Sequence, residues 1–187
     1  DEREGFDFPC EYAIKAMGLA EPGFEETVIE IVRVHAPDFD AGAVSLKPSR
    51  NGKYLSVTIV IEAVSRQSRQ IMINANRNLD QYAALGYPVI QDQSQDFQGP
   101  LAGFYSAMLA ATTDYILTLP CDGPIIVDDY LEKMRQALND SGADIIVASD
   151  GERMQPVFAL LRRELLPSLL NYLEDGGRKI DTWYAQH

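Results

Sequence analysis

The chain has 187 residues, 46% of them hydrophobic, enough for one domain, or one small and one medium unit, around a buried core. Sixteen basic against 28 acidic side chains give a net charge of −12, which argues against broad binding to a nucleic-acid backbone. A single nucleotide stays open, because Mg²⁺ and backbone N–H groups can bridge its phosphates.

Two cysteines, Cys10 and Cys121, suit a reducing cytosol without a disulfide framework. No run of about 18 apolar residues predicts a membrane span. The start, Asp1-Glu2-Arg3-Glu4, lacks the basic and apolar regions of a signal peptide, so a cytoplasmic location is expected.

Glu11 to Leu19 is short, mixed and strand-like. Pro22-Gly23 then opens a predicted helix with Phe24, Val28, Ile31, Val32 and His35 at helical spacing. Glu25 and Glu26 suit its first turn, Pro37 ends it, and His35 faces its final carbonyls. A strand over residues 43–47 leads to Ser49-Arg50-Asn51-Gly52-Lys53, where Asn-Gly signals a hairpin. Lys47 and Lys53 make this a small basic cluster, read as a solvated hairpin. The predicted returning strand runs from Tyr54 to Ala63: Leu55, Val57, Ile59 and Ile61 share one face and Tyr54, Ser56, Thr58 and Glu62 the other. The first sixty-odd residues therefore read β-α-β-β.

Beyond the polar stretch 65–70 the pattern changes to short apolar strands between amphipathic helices. Strands are predicted at 71–73, 88–90, 115–119, 143–148 and 156–161. Helices are predicted at 79–84, 101–111, 127–138 and 164–173. Alternation of this kind implies a parallel sheet with right-handed crossovers.

The strand ends carry the chemistry. Ile71-Met72-Ile73 runs into Asn74-Ala75-Asn76-Arg77, Val89-Ile90 into Gln91-Asp92, and Tyr115 to Leu119 into Pro120-Cys121-Asp122-Gly123-Pro124. Open α/β sheets bind ligands just beyond the carboxyl ends of their strands. An asparagine amide can pair with a base or ribose. Asp92 can accept from a base amine or ribose hydroxyl, and Asp122 can hold Mg²⁺. Each of these residues alone also suits a turn or helix cap.

Gln98-Gly99-Pro100-Leu101-Ala102-Gly103 is a tight entry into a helix whose N-terminus favours anions. Asp150-Gly151-Glu152-Arg153-Met154-Gln155-Pro156 is a charged loop that suits either a substrate edge or a solvated turn. His35 and His187 stand alone in sequence, with no metal set or catalytic triad around them.

Five ordered segments resemble the molybdenum cofactor guanylyltransferases, the MobA family, over residues 70–187: Ile-Asn-Ala-Asn-Arg (73–77), Val-Ile-Gln-Asp (89–92), Gly-Pro-Leu-Ala-Gly (99–103), Leu-Pro-Cys-Asp-Gly-Pro (119–124) and Asp-Gly-Glu-Arg-Met-Gln-Pro (150–156). The resemblance implies a Rossmann-like nucleotidyltransferase that moves GMP from Mg-GTP onto molybdopterin and releases pyrophosphate. Carried over by position, Asn74 and Asp92 match guanosine contacts, and Asp122 matches the aspartate of Mg²⁺ and the nucleotide phosphates. The Gly99–Gly103 turn and the Arg153–Pro156 loop match segments near the active site. No side chain is assigned a catalytic role; the chemistry is positioning and charge stabilisation.

Two features of that family are missing from the sequence. Its first strand is followed by a Leu-Ala-Gly-Gly…Arg-Met-Gly…Asp-Lys loop that cradles the triphosphate, and its final portion carries Asn-x-Asn-Thr-Pro. Residues 1–67 instead resemble the YbeD-like domains, through Phe8-Pro9, Lys15-Ala16-Met17-Gly18, Val34-His35-Ala36-Pro37 and Lys47-Pro48-Ser49…Gly52-Lys53-Tyr54…Ser56-Val57-Thr58. That resemblance implies a ferredoxin-like unit.

The expected fold is thus α/β, a Rossmann-like, mostly parallel sheet (70–187) joined to an N-terminal β-α-β-β ferredoxin-like unit (1–67), a chimera of two truncated families. In a merged arrangement the N-terminal strands fill the place of the family's first strand. The expected partners are GTP with Mg²⁺ and molybdopterin, with neither nucleic acid nor membrane. Exposed sheet edges offer a route to a second copy or a protein partner. The competing function is a non-catalytic regulatory or interaction module.

Overall fold

A computed structural model describes residues 13–17, 28–32, 53–68, 70–93, 99–120 and 126–187. Among these, seven strands form one sheet: β1 (Ala13–Met17), β2 (Val28–Val32), β3 (Gln70–Asn74), β4 (Val89–Ile90), β5 (Tyr115–Pro120), β6 (Ile145–Ser149) and β7 (Met154–Arg162). Their order is β1-β6-β7-β5-β2-β3-β4. Strands β5, β2, β3 and β4 run parallel, whereas β7 is antiparallel to both β5 and β6, and β1 is antiparallel to β6. The strands expected at 71–73, 88–90 and 115–119 therefore share one sheet.

Helices cover both faces. Alternate residues of each buried strand point to opposite sides. Ile71, Ile73, Leu117 and Leu119 pack beneath α1 (Lys53–Ser65) and α4 (Tyr130–Ser141), which contribute Val57, Val60, Ile61, Val64, Tyr130, Met134 and Leu138. Met72, Ile116, Ile145 and Val147 pack on the other side. There they meet α3 (Pro100–Ala110), α5 (Leu166–Glu174) and α6 (Ile180–Tyr184), through Leu101, Phe104, Met108, Leu169, Leu173 and Trp183. Where the β5–β7 ladder ends, the buried Thr118 hydroxyl donates to the Val157 carbonyl at 2.7 Å.

The N-terminal elements depart from the sequence reading in two places. Residues 28–32, expected within a helix, form strand β2, in register with Ile71 and Leu117 at Ile29. Val28, Ile29, Ile31 and Val32 are β-branched and lose side-chain freedom in a helix, so the extended form prevails where a slot opens between two parallel strands.

The stretch expected as a returning strand, 54–63, lies in helix α1. Its sequence satisfies both periods. Val57, Val60, Ile61 and Val64 fall at i, i+3, i+4 and i+7 and are all buried, while Ile59, on the core face of the strand reading, is 39% exposed. Packing on the sheet decides between the two. Strand, strand, helix is thus the order seen among the described N-terminal residues, not the β-α-β-β of a ferredoxin-like unit. The remainder of the predicted helix over 24–35, the strand over 43–47 and the Asn51-Gly52 hairpin lie outside the described residues.

The remaining elements differ from expectation only at their ends, α3 and β7 by one or two residues, while α4 extends to Ser141. Helix α6 carries no signal that the sequence reading used, although its Trp183 and Tyr184 are buried. The Tyr184 hydroxyl donates to the Pro156 carbonyl at 2.7 Å and so ties α6 to β7.

Candidate nucleotide site at the carboxyl edge

The parallel strands bring their carboxyl ends to one edge of the sheet. Asn74, the last residue of β3, is wholly buried, and its Nδ2 donates to Asp92 Oδ1 at 3.2 Å. Two residues on, Asn76 Nδ2 donates to Asp92 Oδ2 at 2.8 Å, and Asn76 Oδ1 accepts the Asp92 N–H at 2.9 Å. The carboxylate is held between two amides. These residues meet because β3 and β4 run side by side, with Asn74 level with Ile90.

Asn74 Oδ1 is buried with no hydrogen-bond partner. Such an orphaned acceptor costs about 1–3 kcal/mol, and a donor from a ligand would relieve it. Helix α3 supplies the other wall. Ser106, buried on α3, accepts the Gln93 N–H at 3.1 Å through Oγ and donates to the Ala102 carbonyl at 2.9 Å. Asp92 is therefore fixed through its own side chain and through the next backbone amide. Neither Asn76 nor Ser106 was singled out from sequence. An Asn-x-Asn spacing beyond a strand end was the available sign for the first; the second carries none.

Gly99 precedes α3 with φ +99°, a conformation that suits glycine, and Pro100 takes the first helical turn. The Asp150 loop joins β6 to β7. Since β7 is antiparallel to both β5 and β6, the end of β6 lies at the same edge as the ends of β5 and β3. Four strand spacings, roughly 20 Å, separate it from β3. Asp150 Oδ1 accepts from the Arg153 and Glu152 N–H groups at 2.7 and 3.0 Å, and Oδ2 accepts from Gln155 Nε2 at 2.7 Å. The Arg153 and Glu152 amides hold its carboxyl below the ordinary carboxylate range. These are the bonds of a turn former.

Asp122 lies outside the described residues, two positions beyond the end of β5 in the sequence. The end of β5 stands two strand spacings, roughly 10 Å, from the end of β3. Among the described residues no group of three or more His, Cys, Asp and Glu side chains could hold a metal ion.

His187 does not stand alone: its Nε2 lies 2.9 Å from Ser168 Oγ and its ring meets Trp183 edge to face at 5.4 Å. No helix among the described residues is long and apolar enough to cross a membrane.

A sheet covered by helices on both faces, with polar side chains gathered at the carboxyl ends of its parallel strands, defines an α/β protein of Rossmann-like architecture. The family model for the MobA-like NTP transferase domain matches residues 50–187, and the chain belongs to that family. A second model, a protein of unknown function (DUF493), matches residues 3–82.

Among curated relatives, a molybdenum cofactor guanylyltransferase of Shewanella woodyi is 47% identical over 127 residues, covering 68% of this chain and 65% of the relative. Another, of Shewanella sediminis, is 44% identical over 148 residues, covering 79% and 73%. The chain thus spans about two thirds to three quarters of the length of these relatives.

The fold is similar to molybdopterin-guanine dinucleotide biosynthesis protein A of Archaeoglobus fulgidus (TM-score 0.60, 17% identity, covering 87% of this chain and 80% of that one). It is also similar to 2-C-methyl-D-erythritol 4-phosphate cytidylyltransferase of Thermus thermophilus (TM-score 0.53, 12% identity, covering 87% and 83%).

Proposed function

We propose that the chain binds the guanosine end of Mg-GTP at the β3–β4 edge, and that it is a guanylyltransferase-type protein whose transfer of GMP to molybdopterin is slow or absent. One observation carries the binding half: a wholly buried Asn74, bonded to Asp92 through Nδ2, keeps an unpartnered Oδ1 at a strand end. Asn74 then offers an acceptor to the amines or hydroxyls of a nucleoside, beside the carboxylate of Asp92. The Shewanella relatives, named molybdenum cofactor guanylyltransferases, support guanosine as that nucleoside. Mg²⁺ enters with the nucleotide. A single carboxylate plus substrate phosphates suits this ion, and Asp122 is the residue we assign to it.

The weak-transfer half rests on the connection between β2 and α1. Strand β2 takes the place of a first parallel strand between β3 and β5, yet residues 33–52 carry no Gly-rich loop with its lysine. Such a loop supplies several charge-assisted hydrogen bonds, and losing one preorganised donor costs about 10²–10³ in rate. The same observation favours the second reading, a non-catalytic module that retains guanine-nucleotide affinity.

We also retain as proposals the division into a unit over 1–67 and a unit over 70–187, its origin as a chimera, the cytoplasmic location, and association through an exposed sheet edge. Pairing of β1 with β6, and of β2 with β3 and β5, supports a merged sheet over two separate ones.

Calorimetric titration with Mg-GTP, coupled to a pyrophosphate-release assay with molybdopterin, is the test. Weak, Mg²⁺-dependent binding that disappears in Asp92→Ala and falls in Asp122→Ala is expected. Tight binding indifferent to both variants refutes the site, and rapid pyrophosphate release refutes the impaired transfer.

A further inference from the structure

We infer that Asn76 is a positioning residue for base recognition: it sets the direction in which the Asp92 carboxylate faces a bound guanine nucleotide. The inference rests on the proposed site and adds a residue to it. Asn76 makes two bonds to one residue, donating from Nδ2 to Asp92 Oδ2 at 2.8 Å and accepting the Asp92 N–H on Oδ1 at 2.9 Å. A planar amide that engages both the backbone and the carboxylate of one aspartate allows that aspartate a single side-chain rotation. Asn74, by comparison, makes one longer bond of 3.2 Å to the other oxygen, from a buried position.

The division of labour follows from burial. Asn74 is enclosed and keeps an unpartnered acceptor, whereas Asn76 is exposed and spends both ends of its amide on Asp92. An exposed asparagine so engaged contributes little to the core, so its removal leaves the fold in place. Asp92 would then lose the two bonds that orient its Oδ2 and its backbone N–H, and a carboxylate turned out of line meets donors on a base edge poorly. A loss confined to base recognition follows, because the phosphates and Mg²⁺ are engaged elsewhere in the proposed site.

The test measures Kd for Mg-GTP, Mg-ITP and Mg-ATP in the full chain and in Asn76→Ala, Asp92→Ala and the double variant, with thermal midpoints for each. Asn76→Ala should weaken Mg-GTP about tenfold, narrow the preference for GTP over ATP and leave the thermal midpoint nearly unchanged. In the Asp92→Ala background it should have no further effect, the non-additivity that marks a residue acting through another. A merely structural asparagine would lower the midpoint and weaken all three nucleotides alike. If Asp92→Ala weakens GTP while Asn76→Ala changes neither affinity nor preference, the inference is overturned and the site stands. If Asp92→Ala itself changes nothing, the site and the inference fall together.

Discussion

Gln67, just past the end of α1, clamps the entrance of α4 with both ends of its amide: Oε1 accepts the Leu131 N–H at 2.9 Å, and Nε2 donates to the Val127 carbonyl at 2.9 Å. A helix start leaves its first N–H groups without intrahelical partners, and a side chain 64 residues away supplies one here. Arg66 pairs with Asp128 beside it at 3.5 Å, but both partners are largely exposed and add little. Gln67→Ala should therefore cost about 1–3 kcal/mol, since it strands a helix N–H and a carbonyl, whereas Arg66→Ala should cost less than about 1 kcal/mol. Chemical denaturation of the two variants checks the ranking.

The helical state of residues 53–65 is open to a direct test, because the helix and strand patterns bury different residues. Ile59→Lys should change stability by no more than about 0.5 kcal/mol, as for other exposed sites. Val60→Ala should cost about 2 kcal/mol, because Val60 is fully enclosed between α1 and the sheet. A strand with Leu55, Val57, Ile59 and Ile61 inward would reverse that order in thermal denaturation.

Asp150 gives the β6–β7 turn a pH dependence of known sign. The Arg153 and Glu152 amides lower its folded pKa, so its contribution is present above the unfolded value of about 3.9 and is lost as pH falls through the folded one. Asp150→Asn should accordingly melt below the parent chain at neutral pH. The gap should close as pH drops below about 4. A gap that persists unchanged at low pH would show that the carboxylate charge is not what holds the turn.

Trp183 is the chain's single tryptophan and it touches His187, which makes the docking of α6 readable by fluorescence. Ser168 Oγ accepts the Trp183 indole N–H at 3.2 Å and lies 2.9 Å from His187 Nε2. Burial lowers the His187 pKa from 6.5, opposed by the field of Asp144. The neutral ring is favoured in the fold, so its contribution is complete above pH 6.5 and fades as pH falls through the lowered value. Tryptophan emission should titrate with a midpoint below 6.5, and His187→Ala should abolish that titration.

The alternation of apolar strands and amphipathic helices from residue 71 onward was legible because each element there satisfies one period alone. In α4, Tyr130, Met134 and Leu138 fit a helix face, and the run Tyr115 to Leu119 is too short and too apolar for anything but a buried strand. The position of Asn74 and Asp92 at the carboxyl edge was legible as well, since a polar residue that ends such a strand falls there.

Over residues 28–32 and 53–65 the sequence by itself leaves two readings open, because the spacing of the apolar residues there fits a helix face as well as a strand. Tertiary structure chose between them: a slot between β3 and β5 accepts only an extended segment, and the sheet face above it needs a helix to bury Val57, Val60, Ile61 and Val64. The same holds at the candidate site. Sequence places Asn76 and Asp92 at the ends of two strands, but the reciprocal bonds between them exist only because β3 and β4 pair with Asn74 level with Ile90. Hydrogen bonds between residues 16 apart depend on strand register, and register is set by the packing of the whole sheet.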